Sequence, residues 1–235
     1  MAHEFSASAK SSSRVPSMTA ALLILTSLVE TLAIAHHPHV HEPDRLRATL
    51  AIHAAAHLSG WIHGVAIGCC LVIAYCLGEI LLKQIPARLV RAAALVYAGG
   101  ISALNTAATV DGWVIGRLAA GLPHEMPADL ESNARLFTLC GTWVQASTSV
   151  GIVLTSIGIL IASAGLLCHR GTWRIAGASG TLVGAVLSLS ILSGNLPMDG
   201  HGALVVVCAQ GAWFILLGIV SLKNSAAALS SQSAA

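Results

Sequence analysis

Charge is what this chain has least of. Aspartate, glutamate, lysine and arginine supply 9% of its 235 residues, against roughly 25% in an ordinary soluble domain. So few charges cannot keep a surface of this size in water, and a soluble fold is excluded. The net charge of +2 offers no electrostatic footprint for nucleic acid. Catalytic signatures are missing as well. There is no glycine-rich phosphate loop, no serine nucleophile elbow and no HExxH pair, so nothing marks the chain as an enzyme.

What the chain has in abundance is apolar sequence. Residues of the AVILMFWYC set make up 55%, and the mean hydropathy is +0.79. A bilayer crossing takes about 20 apolar residues. Runs of that kind fall at residues 18–35, 55–80, 88–110, 140–167, 173–195 and 202–222. Each must be a helix, because in hydrocarbon a lone span has to satisfy its own backbone hydrogen bonds. The expected fold is therefore an all-α polytopic membrane bundle of six helices in one domain over 18–222. A disordered Ser-rich tail precedes it at 1–17 and a short flexible tail follows at 223–235. The loop after the third span is the longest, and Pro127-Ala-Asp-Leu-Glu suits a helix N-terminus at the membrane surface.

Orientation follows from the cations. With six spans, Lys10, Arg14, Lys83, Arg88, Arg91, Arg170, Arg174 and Lys223 share one side, and only Arg45, Arg47, Arg117 and Arg135 lie on the other. The positive-inside rule puts both termini in the cytoplasm. The expected location is a bacterial inner membrane, with the acidic, His-rich connections on the periplasmic side. One alternative concerns the first span, whose basic start, short apolar stretch and Ala33-Ile34-Ala35 fit a cleavable signal. Cleavage would leave five spans and a mature terminus at His36.

Ligand-type residues gather on that outer side. His36, His37, His39 and His41 lie among Glu42 and Asp44, and His53 and His57 follow at helical i, i+4 spacing. Imidazole with carboxylate suits borderline divalent ions such as Zn, Ni and Cu(II). Asp111, Asp199 and His201 complete the candidate ligand set on the same face. Because only a neutral imidazole lends its lone pair, such binding weakens below about pH 6.5. Each of these histidines, taken singly, is equally at home as an interfacial residue.

A second set emerges when the helices are laid side by side. Glu30, His63, Asn105, Gln145, Asn195 and Gln210 fall at similar depths in the outer half, one per helix. Polar groups in hydrocarbon turn inward, so this tier predicts a polar core or an outward-open cavity. The inner half is almost purely apolar. Glu30 and His63 are at depths that allow an ion pair. Bis-imidazole haem is not expected, since His63 has no second mid-membrane histidine to face it.

Gly60, Gly64 and Gly68, with Gly180 and Gly184, make small-residue faces for close helix packing. Cys69, Cys70, Cys76 and Cys208 lie within spans as small hydrophobes, although the vicinal pair Cys69-Cys70 offers thiolates to a soft metal. Trp61, Trp113 and Trp143 mark the outer interface and Trp173 the inner one. Three functions fit. The first is a protein that binds or transports a divalent transition metal (Cu, Zn or Ni). The second is a non-catalytic subunit or assembly factor that docks other membrane subunits through its glycine faces. The third is a redox or quinone-linked subunit.

Overall fold

The computed structural model describes residues 2–38, 45–121, 127–198 and 200–233. Helix α1 runs Ala2–Ala35, α2 Arg45–Leu81 and α3 Ala87–Thr109; a π-helical segment, Val110–Ile115, then leads into α4, Gly116–Gly121. After the second gap come α5 Pro127–Leu167, α6 Thr172–Leu192 and α7 Gly200–Ser233. The described residues contain no strand. Six stretches are long and apolar enough to cross a membrane: Ser17–Ala35, Leu50–Leu81, Ala87–Ala120, Arg135–Leu167, Thr172–Leu192 and His201–Ala227. This is a multi-pass helical membrane protein.

The bundle closes on itself. α1 packs on α2, α2 on α3, α3 on α5, α5 on α6 and α6 on α7, and α7 returns to α1. Neighbours run antiparallel, as the register shows: a methyl on Gly151 would meet Gly100, and one on Gly158 would meet Tyr97 and Ala93. Likewise a methyl on Gly211 would meet Thr31, and one on Gly218 would meet Ala20 and Ile24. Small residues allow this approach because lipid supplies no hydrophobic drive between helices and contact alone must hold them. Several hydroxyls in the spans turn back on their own helices. Ser27 donates to the Leu23 carbonyl at 2.8 Å and Thr106 to that of Ser102 at 2.9 Å, so neither is left unsatisfied in an apolar setting.

α1 is an integral wall of the ring, with Ala20, Leu23 and Ser27 fully buried against its neighbours. Its helical backbone also takes in most of the polar segment that reads as a tail. The expected helix start at Pro127 is present, but it opens α5 itself, which continues unbroken into the fourth span. The third span departs most from its expected limits, because helix persists past residue 110 to Gly121. All six cysteines are free thiols. Trp173, at the start of α6, is buried in the core.

The two ends of the ring differ in filling. Around the α2–α3 and α5–α6 turns, Ile80, Leu81, Ile85, Val90, Leu166, Trp173, Leu217 and Val220 form a continuous apolar core. Trp213 is sealed into it and donates from Nε1 to the Ala176 carbonyl at 2.9 Å. Toward the opposite end, where α1 and α3 finish and α2, α5 and α7 begin, the helices enclose a cavity of about 220 Å³.

Candidate metal centre

Five of the six ring helices line that cavity, and the polar side chains expected in the outer half converge on it. Glu30, His63, Asn105 and Gln210 are all lining residues. Gln145 is not; it is exposed. Val144 and Thr148 face the cavity from the same helix, and one residue further round an α-helix turns about 100° away. Asn195 sits exposed in the turn after α6, where it donates to Ser193 Oγ at 2.9 Å.

At the cavity's mouth three ligand-type side chains meet. His37 comes from the end of α1, His63 from α2 and Asp111 from the π-helical segment. One donor atom from each lies within 4.8 Å of the other two. Asp111 Oδ2 is 3.2 Å from His63 Nε2 and 3.4 Å from His37 Nε2. The imidazole rings meet edge to face, with centroids 4.9 Å apart. For a tetrahedral ion with bonds of about 2.0–2.1 Å, neighbouring donors stand roughly 3.3–3.4 Å apart. The two observed separations match that edge.

The other nitrogen of His63 fixes the tautomer. Nδ1 lies 2.8 Å from the Ser59 carbonyl oxygen, which can only accept, so Nδ1 carries the proton. A neutral ring then presents the bare lone pair of Nε2 to a carboxylate oxygen 3.2 Å away. Two acceptors do not face each other at that distance without a cation or a second proton between them. A backbone carbonyl holding the far nitrogen is also how metal-bound histidines are oriented.

Local sequence explains why these atoms meet. A methyl on Gly112 would lie 2.9 Å from His63 Cβ, and one on Gly60 would lie 3.2 Å from the Gly112 carbonyl oxygen. Glycine on both helices therefore lets α2 and the π-helical segment touch. The wide turn inserts one residue into the α-helical register and so re-aims Asp111. Side-chain exposures of 10% for His63, 21% for His37 and 30% for Asp111 grade from sheltered to accessible.

The remaining candidates lie apart from this group. His36 is exposed and its Nδ1 is 2.8 Å from the Leu32 carbonyl oxygen. His53 and His57 are exposed, with His57 against Trp61 at 6.4 Å between centroids. Their face of α2 is turned about 100° from that of His63. His201 is exposed at the start of α7. His39, His41 and Asp199 lie outside the described residues. Glu30 does not pair with His63: its Oε1 accepts from Cys70 Sγ at 3.3 Å, deeper along the cavity wall. Gln210 donates to Thr155 Oγ1 and Ser156 Oγ at 3.1 and 3.2 Å, tying α7 to α5.

Fold and site together define a multi-pass helical membrane protein with a His₂Asp cluster at the mouth of an intramembrane cavity. No protein family, curated protein or solved structure matches the chain.

Proposed function

We propose that this protein binds one divalent transition metal ion, zinc, copper or nickel, between His37, His63 and Asp111. The observation that carries the reading is the His63 geometry. Its Nδ1 is committed to the Ser59 carbonyl, so a neutral ring aims its Nε2 lone pair at the Asp111 carboxylate. A cation in that gap turns two confronting acceptors into two ligands, and His37 supplies a third. The lysine and arginine distribution supports a periplasm-facing mouth in a bacterial inner membrane. There the His36–His41 segment would collect ions from solution and pass them inward. Beyond the cluster the cavity reaches Glu30 and Cys70 and then meets the apolar core. A cavity with ligand-type groups at one end and apolar side chains at the other suits a carrier or a receiving protein.

The test is elemental analysis of detergent-purified protein, dialysed without chelator after exposure to Zn, Cu or Ni. About one equivalent of bound ion is expected, with tight binding lost in His63→Ala and Asp111→Asn. No ion bound after challenge with any of the three, or unchanged stoichiometry in both variants, overturns the reading.

A further inference from the structure

We propose that the cavity beneath the cluster is a binding site for a short amphiphilic acid, whose carboxylate takes the metal's fourth position. This rests on the metal reading above. Three protein ligands leave a tetrahedral ion one position short, the arrangement of sites that receive a ligand and not of closed structural ones. Because His37, His63 and Asp111 all line the cavity, a ligand held in that space is within reach of the open position. Charge sets the sign of the occupant. Within the centre itself, two neutral imidazoles, one carboxylate and a divalent ion sum to +1, which an anionic head directly on the ion neutralises.

The walls set the rest of its shape. Just past the cluster they are aliphatic, with Ile34, Ile67, Ile101 and Leu104 facing the space. Polar character then returns at Glu30, Asn105 and Gln210, and of these the buried Oδ1 of Asn105 accepts no hydrogen bond. Asn105 lies six residues before Asp111 on the same helix, about 9 Å along the axis. An acid with a short apolar body, and a hydroxyl at its far end for Asn105, matches both ends of the site. About 220 Å³ is several water molecules' worth of space and too little for a full-length lipid chain.

The experiment follows the visible d–d bands of Co(II)-loaded protein in a non-ionic detergent, titrated in parallel with acetate, octanoate and oleate. Octanoate is expected to shift the bands at a concentration about tenfold or more below acetate, since each methylene it buries adds affinity. Ile67→Phe and, separately, Leu104→Phe should keep the cobalt spectrum and lose that discrimination. Either variant alone suffices should the other fail to fold. Bands that ignore octanoate, as a fourth donor from the chain itself would make them, overturn the amphiphile site and leave the metal reading standing. Equal responses to acetate and octanoate, or discrimination that survives both substitutions, overturn it too. Tighter binding of oleate would overturn the short-chain assignment. Absence of any cobalt spectrum from protein that also retains no Zn, Cu or Ni overturns both readings at once.

Discussion

The two ends of this bundle are built from the same six helices and nearly the same amino-acid types, yet one end packs a continuous apolar core and the other gathers ligand-type side chains around a cavity. At the apolar end, leucine, isoleucine and two tryptophans interdigitate, and the Trp213 indole N–H is satisfied by the Ala176 carbonyl. At the other end a handful of substitutions reverse the outcome. A carboxylate on α1, an imidazole on α2, an amide and a carboxylate on the third span and an amide on α7 cannot be covered by aliphatic neighbours, so the helices stay apart around them. The apolar end holds the ring shut and the polar end is free to bind. The difference teaches that fold and site are separable here, and that either can be damaged while the other persists.

Trp213→Ala should show this most strongly. The side chain is 2% exposed, and its loss should cost about 3 kcal/mol. That is the low end for a buried tryptophan, because lipid contributes packing but no transfer from water. Thermal unfolding in detergent measures it, and the surviving folded fraction should still bind metal. Asp111→Asn should do the reverse, lowering metal affinity about 100-fold or more by isothermal titration while leaving the unfolding temperature nearly unchanged. Gly112→Ala falls between the two. The added methyl meets His63 Cβ at 2.9 Å and should push the ring off the carboxylate, weakening metal binding about tenfold with a stability loss of about 1 kcal/mol. A metal titration that matches wild type would show the glycine contact to be slack. The smallest effect is expected from His53→Ala/His57→Ala. Both side chains are exposed on another face of α2, so stability should move by less than about 0.5 kcal/mol and tight metal binding should persist. Loss of binding there would return those two residues to the site.

The six spans were legible because their cause is local: enough consecutive apolar residues to cross hydrocarbon, and no other backbone solution open to them. The cavity's polar wall was legible for the same reason, since Glu30, His63, Asn105 and Gln210 each violate an apolar run at a common depth. The ligand set was legible only in pieces. His37 and Asp111 read as ligands and His63 as a deeper, separate group, because the third span was expected to end at residue 110. Helix that continues to Gly121 instead draws Asp111 into the bundle, to the level of His63. No periodicity in the apolar pattern announces a π-helical turn, so the depth error could not be corrected from spacing. The pairing Gly60 and Gly112 was the available clue. Two glycines flanking candidate ligands on consecutive spans mark a place where backbones touch. Gln145 failed for a different reason: depth alone does not say which way a side chain points, and one residue of rotation separates the cavity from its outside.

The wide turn at Val110–Ile115 has an evolutionary reading. A π-helical turn is what a regular helix becomes when one residue is inserted and the rest of the span keeps its packing. A span one residue shorter at this turn would present its carboxylate about 100° further round the helix, away from both imidazoles. On that view the centre could be gained or lost by a single codon, without redesigning the fold around it.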